Sequence, residues 1–189
     1  MLPVTPPPST TFLDPENRIV AGEPSRQAPA FMQQVHLGII GGGTVGGGVF
    51  QALQRNGGLL ASRLGIRIQL DRIAVKAFDE PRKVEIPMSC LTTNWLEVVR
   101  DPRVQIVAEL AGGTTAARQM ILTALKLGKP VVTANKALLS AHGEELFEAA
   151  RRYKTNLYYE ASVAGGIPII KSLREGFVGH RITHLYGIV

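Results

Sequence analysis

The chain has 189 residues, of which 45% are hydrophobic, and a formal net charge of +6 at neutral pH. This length and apolar content predict one globular domain, or one domain and part of a second, and no apolar run reaches the roughly 18 residues of a membrane span. The single cysteine, Cys90, excludes a disulfide framework within the chain and favours a reducing compartment such as the cytoplasm.

A basic balance of charge raises the question of nucleic-acid binding. The lysines and arginines are scattered among acidic residues, and aromatic residues make up only 6% of the chain. We therefore expect a solvated basic surface and no nucleic-acid partner. A modest positive field would also help an anionic cofactor to arrive.

The first segment, residues 1–34, is rich in proline and has neither a helical nor a strand period. This composition predicts a disordered arm. The segment also lacks the basic start and the continuous apolar stretch of a signal peptide.

From residue 35 the chain alternates between strand and helix patterns. The predicted strands are Val35–Ile40, Ile68–Ala77, Ile106–Leu110, Pro130–Ala134 and Asn156–Ala161. The predicted helices are Thr44–Leu53, ended by Asn56-Gly57-Gly58, then Trp95–Arg100, Thr115–Leu127 and Gly143–Tyr153. This alternation implies right-handed crossovers, so the predicted fold class is α/β, with a doubly wound, Rossmann-type parallel sheet over residues 35–161.

The turn after the first strand matches G-x-G-x-x-G and opens a helix. Gly41 permits the tight turn, Gly43 lets the backbone approach a pyrophosphate, and Gly46 allows the helix to pack closely on the strand. The phosphates would bind free N–H groups at the helix N-terminus, where Thr44 and Val45 lie. We interpret the turn as a dinucleotide-binding loop; a merely flexible glycine-rich loop is the alternative.

The end of the second strand bears on the choice of cofactor. An Asp or Glu there would bind the ribose hydroxyls of NAD, but this chain has Lys76. Lys76, Arg82 and Lys83 could instead meet a 2′-phosphate, which favours NADP. Asp79 could support NAD, and a solvated turn with no role in binding is the remaining alternative.

Two further strand ends carry candidate site residues. Gly112 and Gly113 follow the third strand and either pass beside the nicotinamide ribose or form a simple turn. Thr133 and Lys136 follow the fourth strand, where a lysine can contact the carboxamide, the ribose or an anionic substrate. A purely structural lysine is disfavoured at this helix start, because cations stabilise the opposite end of a helix.

Three segments occur here in the order found in homoserine dehydrogenases, namely Gly41–Val49, Val131–Ser140 and Tyr159–Gly176. With them the chain resembles that family from about residue 35 to its end. The resemblance implies NAD(P)-dependent interconversion of L-homoserine and L-aspartate 4-semialdehyde, a step in threonine, methionine and isoleucine biosynthesis. It also implies a homodimer for the full-length protein.

The resemblance extends to individual residues. It implies that Lys136 lies beside the nicotinamide and the substrate, as a catalytic candidate. It also implies a sodium site formed by Glu160 and the carbonyls of Val163, Gly165 and Ile167. Monovalent cations take oxygen ligands, so these residue types suit the ion. The alternative is that Glu160 only caps the turn by accepting backbone N–H bonds.

Residues 162–189 are predicted to begin a second, α+β domain for substrate binding and dimerisation. Pro168–Phe177 would be a linking helix, and Ile182–Val189 the domain's first strand. The resemblance implies that the main acid–base lysine comes later in that domain. We therefore expect the chain to bind dinucleotide but to turn over poorly; a stand-alone dinucleotide-binding module without catalysis is the alternative.

Overall fold

The structure is a computed structural model, and it describes residues 12–13, 19–20 and 32–187. In the N-terminal segment, strand β1 (Phe12–Leu13) pairs antiparallel with strand β2 (Ile19–Val20). Phe, Ile and Val are residues enriched in strands, and their pairing departs from the disordered arm expected over residues 1–34. Gln33 and Gln34 also depart from it, because they begin strand β3, and the other residues of the segment except Met32 lie outside the described residues.

A six-stranded parallel sheet organises residues 33–158, with the strand order β5-β4-β3-β6-β7-β8. Its strands are β3 (Gln33–Ile40), β4 (Ile66–Ala74), β5 (Leu91–Thr92), β6 (Ile106–Glu109), β7 (Val131–Thr133) and β8 (Leu157–Tyr158). The order runs outward from β3 in one direction and then in the other, which is the doubly wound arrangement. The predicted fold class is therefore confirmed.

The helices follow the strands on both faces of the sheet. They are α1 (Thr44–Leu64), α2 (Trp95–Arg100), α3 (Thr115–Lys126), α4 (Lys136–Arg152) and α5 (Ile169–Lys171), and α5 continues as one π-helical turn over Ser172–Gly176. None of the helices within residues 32–187 is both long and apolar enough to cross a membrane.

Two apolar clusters cover the two faces of the sheet. Ile39 and Ile73 pack in one cluster with Phe50 of α1. Their neighbours along the strands, Ile40 and Ala74, pack in the other cluster with α2, α3 and α4. Successive side chains of a strand point to opposite faces of the sheet. Helix α1 therefore covers one face, and α2, α3 and α4 cover the opposite face.

Helix α1 extends eleven residues beyond the predicted end at Leu53, straight through Gly57 and Gly58, as its bounds Thr44–Leu64 show. Ala61, beyond the glycines, is buried, and this packing offsets the cost of two glycines in a helix. The helix ends instead at Gly65, whose φ of 69° is the left-handed conformation of a glycine C-cap.

Helix α4 begins seven residues earlier than predicted, at Lys136 instead of Gly143. The side-chain oxygen of Asn135 accepts a bond from the Leu138 N–H and so caps the helix start. The predicted start coincides with a kink, because His142 has a non-helical φ of −137°.

Several strand predictions need correction. The predicted strand Asn156–Ala161 is shorter in the structure, because β8 covers only Leu157–Tyr158 and a 3-10 turn begins at Glu160. Strand β5 was not predicted, because a pair of residues is too short to show a period; it forms beside β4 at the sheet edge. The predicted strand Ile182–Val189 is wrong for its described part, since residues 182–187 form no strand. A strand needs a neighbour to take its backbone hydrogen bonds, and β8 pairs only with β7 among the described strands. Residues 188–189 lie outside the described residues.

The length of α1 can be tested at its internal glycines. Gly57→Ala and Gly58→Ala should each raise the free energy of unfolding by about 0.5–1 kcal/mol, because alanine loses less backbone entropy in a helix. Urea unfolding of the purified chain measures this. The matched control is Gly65→Ala, which should lower stability by about 1–2 kcal/mol because of its left-handed φ. Destabilisation by alanine at both 57 and 58 would contradict a continuous helix.

Candidate functional site

Two cavities adjoin at the carboxyl ends of the parallel strands, where ligands bind in open α/β sheets. The larger cavity has a volume of about 430 Å³ and is lined by the Gly41–Gly43 turn, Lys76 and Trp95, among others. The smaller cavity, of about 220 Å³, is lined by Val45, Gly112 and Lys136, among others. Leu110 and Ala111 line both cavities, so the loop after β6 separates one from the other.

The glycines of the first turn have different structural roles. Gly41 has a φ of 105°, and a Cβ there would lie 2.5 Å from the Ala111 nitrogen. A Cβ at Gly46 would lie only 1.8 Å from the Gly41 carbonyl oxygen. In contrast, no atom lies within 4 Å of a Cβ position at Gly43, which is exposed. Gly41 and Gly46 therefore permit close packing, whereas Gly43 keeps the approach to the helix open.

The N-terminus of α1 faces this opening. Gly43 is the N-cap and provides no side-chain bond, and the first turn holds no acidic residue. Thr44 and Val45 are exposed there. The first N–H groups of a helix lack intrahelical partners and carry a partial positive charge, so this end of α1 suits an anion such as a pyrophosphate.

The segment after β4 brings basic groups to the larger cavity. Lys76 is exposed and lines it, together with Glu80. Arg82 donates to the carbonyls of Ala77 and Phe78, in the latter case at 2.9 Å. Its Nε is buried, has no hydrogen-bond partner among the described residues, and would lie 3.7 Å from a Cβ at Gly42. The cavity wall therefore carries one cation, Lys76, and one acid, Glu80, while Arg82 lies behind it near Gly42.

A hydrogen-bonded group on the other side of the larger cavity supports β5. The Glu97 carboxylate accepts a bond of 2.8 Å from the Thr92 hydroxyl and one of 2.6 Å from Arg72. The Thr92 bond, followed by that of Arg72, lowers the pKa of Glu97. These bonds tie α2 to β4 and β5, and thereby position Trp95, which is half-buried against the cavity.

The loop after β6 is held by a buried carboxylate. Glu109 is 0% exposed, and its Oε1 accepts bonds from the N–H groups of Ala111 at 2.9 Å and Gly112 at 3.2 Å. Its Oε2 accepts a bond of 2.9 Å from the Thr133 hydroxyl. Gly112 and Gly113 both have a φ of 76°, so this tightly held loop is one that favours glycine.

The start of α4 joins the same network. The Thr133 oxygen accepts a bond of 3.0 Å from the Asn135 N–H, and the Asn135 amide donates to the Gly113 carbonyl at 2.7 Å. Lys136 follows as the first residue of α4 and is exposed. The structure therefore brings Lys136 and Gly112 to one cavity, while Thr133 lies buried beneath it.

The turn after β8 is organised by Glu160. Its two oxygens accept bonds from the N–H groups of Ile170 at 3.0 Å and Lys171 at 2.8 Å, so it caps the helical segment that follows. In the turn between Glu160 and Ile170, Ala164 and Gly165 have positive φ values of 54° and 61°. Among the described residues, no group of three or more His, Cys, Asp or Glu side chains could hold a metal ion.

Sequence reasoning missed Trp95, Glu109 and Asn135 as parts of the site. The sequence indicates Trp95 only as the start of the predicted helix Trp95–Arg100, whereas in the structure it lines the larger cavity. Glu109 could have been noticed as a lone charge inside an apolar strand, and Asn135 as a helix N-cap between a strand and a helix. Their contacts join different strand ends, which no sequence spacing reports.

Comparison with known protein families gives one match across the site. A family model described as homoserine dehydrogenase, NAD binding domain, matches residues 41–160. This range begins at the glycine turn and ends at Glu160. It therefore contains the strand-end loops that line both cavities.

Curated relatives and solved structures agree with this match. Homoserine dehydrogenase of Bacillus subtilis is 40% identical over 84% of this chain, and that of Pseudomonas aeruginosa is 43% identical over 84%. A crystal structure of homoserine dehydrogenase from Thiobacillus denitrificans is 45% identical, with a TM-score of 0.74 over 79% of this chain and 35% of its own. The chain spans 36% of the length of each of the two curated relatives. With its fold, its glycine turn and these similarities, the chain belongs to the homoserine dehydrogenase family and corresponds to the NAD-binding domain of that family.

Proposed function

We propose that this chain is the cofactor-binding part of an enzyme that interconverts L-homoserine and L-aspartate 4-semialdehyde with NAD(P), in threonine, methionine and isoleucine biosynthesis. The observation that carries the proposal is the open Gly43 in front of an uncapped helix start, next to a cavity that Lys136 lines. The family match supports the substrate class.

The roles proposed for the chain's own residues follow from their positions. The turn through Gly41, Gly43 and Gly46, with Thr44 and Val45 at the helix start, would hold the pyrophosphate. The loop of Gly112 and Gly113, together with Thr133 and Lys136, would hold the nicotinamide half.

Bound nicotinamide dinucleotide supplies the hydride chemistry, while the protein supplies binding and orientation. Lys136 is the proposed catalytic contact, since its ammonium group can donate to the dinucleotide or to the substrate.

The glycine turn gives the primary test of cofactor binding. Gly43→Ala should leave the free energy of unfolding unchanged within about 0.5 kcal/mol, because nothing crowds its Cβ. It should weaken dinucleotide binding about tenfold or more, because the methyl group stands where phosphates approach. Isothermal titration calorimetry of the chain with NADP and NAD measures the dissociation constants.

Two further substitutions in the same helix are the controls. Gly46→Ala should lower stability by about 1–3 kcal/mol or more, because its methyl group collides with the Gly41 oxygen. A Cβ at Gly48 meets no atom within 4 Å, so Gly48→Ala should lower neither the free energy of unfolding nor the affinity for dinucleotide. Dinucleotide binding by Gly43→Ala as tight as that of the parent chain would count against a phosphate site at this turn.

We favour NADP over NAD because Lys76 lines the larger cavity and the Arg82 Nε lies near Gly42, which also lines it. A 2′-phosphate near these cations gains an attraction that the ribose hydroxyl of NAD lacks. Glu80, which lines the same cavity, and the neighbouring Asp79 act in the opposite direction. Lys76 at the cavity wall, with Arg82 near it, supports the phosphate.

Cofactor preference is tested at Lys76. Lys76→Ala should weaken NADP binding roughly five- to tenfold, the size of one charge pair near a solvated surface, and should leave NAD binding unchanged. Lys83→Ala is the control, since Lys83 is exposed and does not line the cavity. An unchanged ratio of the two dissociation constants in Lys76→Ala would contradict a role for Lys76 in selecting NADP.

A sodium ion at the turn after β8 is also part of the proposal. The donors would be Glu160 and the carbonyls of Val163, Gly165 and Ile167, a set of oxygen ligands that suits a monovalent cation. Each Glu160 oxygen already accepts one backbone bond, and the Ile167 carbonyl accepts one of 2.8 Å from the Ile169 N–H. An ion would therefore bind in addition to these bonds.

Sodium dependence can be measured as a difference in melting temperature between sodium chloride and choline chloride at equal ionic strength. We expect a higher melting temperature in sodium, and we expect Glu160→Gln to abolish the difference. Glu175→Gln is the control, because it removes an exposed acid from the same helical segment. Equal melting temperatures of the parent chain in both salts would contradict a sodium site.

Two broader features complete the proposal. A homodimer of the full-length protein is suggested by the family alone. A cytoplasmic location is supported by the single cysteine, since disulfide-poor chains are typical of reducing compartments.

A further inference from the structure

The fully buried carboxylate of Glu109 determines how the loop after β6 is turned. Its Oε1 accepts from two consecutive backbone N–H groups, those of Ala111 at 2.9 Å and Gly112 at 3.2 Å. Both N–H groups therefore point down into the protein, towards Glu109. A buried carboxylate is stable only when hydrogen-bond donors surround it. The loop N–H groups therefore stabilise Glu109, and Glu109 in turn holds the loop in this conformation.

The carbonyl groups of the same two peptides must point the other way. In a trans peptide the N–H and C=O bonds are antiparallel, and no cis peptide occurs among the described residues. A Cβ at Gly41 would lie 2.5 Å from the Ala111 nitrogen and 2.6 Å from the Leu110 oxygen, so this peptide packs against the glycine turn. The Leu110 carbonyl shares its peptide with the Ala111 N–H and points away from Glu109. The Ala111 carbonyl shares its peptide with the Gly112 N–H and likewise points away from Glu109.

These two carbonyls belong to the residues that line both cavities. With both N–H groups turned inward, this wall would offer hydrogen-bond acceptors instead of donors. The half of a nicotinamide dinucleotide that carries donors is the nicotinamide riboside, with its carboxamide NH₂ and ribose hydroxyls. The phosphates, which are acceptors, would be repelled from this wall and directed to the start of α1.

We propose that Glu109 is a positioning residue, which holds the N–H groups of Ala111 and Gly112 inward so that this loop offers carbonyl oxygens to the donors of the nicotinamide half. The role rests on the proposed function, because it needs a dinucleotide in the two cavities. Glu109 itself is buried and acts only through the loop.

The rest of the network keeps Glu109 in one orientation. The Thr133 hydroxyl donates its only proton to the Glu109 Oε2, and its oxygen accepts a bond from the Asn135 N–H. Asn135 in turn holds the Gly113 carbonyl, at the far end of the loop. Ser162 donates to the Thr133 carbonyl at 2.8 Å, which extends the network to the turn after β8.

The first experiment uses the parent chain without cofactor. Hydrogen exchange followed by NMR should show the Ala111 and Gly112 amides exchanging about tenfold or more slowly than unstructured amides, although both residues are exposed in the loop. Exchange of both amides at the unstructured rate would overturn the proposal, whatever the chain binds.

The second experiment is Glu109→Gln, which keeps the shape but exchanges one acceptor for a donor. With the new amide nitrogen towards the loop, the Ala111 and Gly112 N–H groups lose their acceptor; with it towards Thr133, the Thr133 hydroxyl loses its acceptor and the support of the loop weakens. In both orientations the loop amides should exchange faster. Glu145→Gln is the matched control, since Glu145 pairs with Arg118 on the outer side of α3 and α4. It should change neither loop exchange nor binding. If Glu109→Gln fails to fold, the exchange of the parent chain still decides the proposal.

Ligand fragments separate the two halves of the cofactor. Glu109→Gln should weaken NADP binding about tenfold and leave 2′,5′-ADP, which lacks the nicotinamide half, within about twofold. Equal losses for both ligands would overturn the proposal, because they would place the effect on the whole fold or on the adenine half.

Two analogues identify the donor. If 2′-phospho-ADP-ribose loses affinity in Glu109→Gln as NADP does, the ribose hydroxyls are the donors. If only NADP loses affinity, and the 3-acetylpyridine analogue without an amide N–H does not, the carboxamide is the donor. Each of these two patterns supports a wall of carbonyl acceptors at the loop after β6. Failure of the parent chain to bind NADP and 2′,5′-ADP alike would instead contradict the proposed function, while the exchange measurement on the loop would stand by itself.

Discussion

The site depends on one close approach, between the carbonyl oxygen of Gly41 and the backbone at Gly46. A Cβ at Gly46 would lie 1.8 Å from that oxygen, which leaves room for hydrogen alone. This contact sets the distance from the end of β3 to the first turn of α1. Because it does, the uncapped N–H groups of the helix face the cavity formed by the neighbouring strand ends. The anion-binding property of the helix is thus made available by a packing contact.

The core of the sheet is apolar, whereas the buried residues of the site are polar. The strands are apolar along their length and are covered by one helix on one face and three on the other. At their carboxyl ends the buried residues become polar, notably Glu109, Thr133, Asn135 and Ser162. Thr133 bonds to Glu109 of one neighbouring strand and to Ser162 of the turn after β8, so each of these strand ends is positioned by its neighbour. A network of this kind can hold an irregular backbone where no ladder of strands is present.

The arrangement also divides the site between its two kinds of backbone group. N–H groups are presented at the start of α1, and carbonyl groups at the loop after β6. A dinucleotide has phosphate acceptors at its centre and donors on its nicotinamide riboside, so the two walls complement different parts of one ligand. Lys76, after the end of β4, lines the larger cavity, whereas Lys136 lines the smaller one.

The sequence by itself determined the alternation of strands and helices, the parallel sheet, the glycine turn and the family resemblance, because each depends on short-range period or spacing. Tertiary structure alone decided the rest. Packing of Ala61 carried α1 through Gly57 and Gly58, and pairing with β4 created the short strand β5. Among the described strands none pairs with residues 182–187, which form no strand although their apolar pattern suggested one. Glu109, Asn135 and Trp95 entered the site through contacts between distant loops, and spacing along the chain cannot encode which strand ends become neighbours.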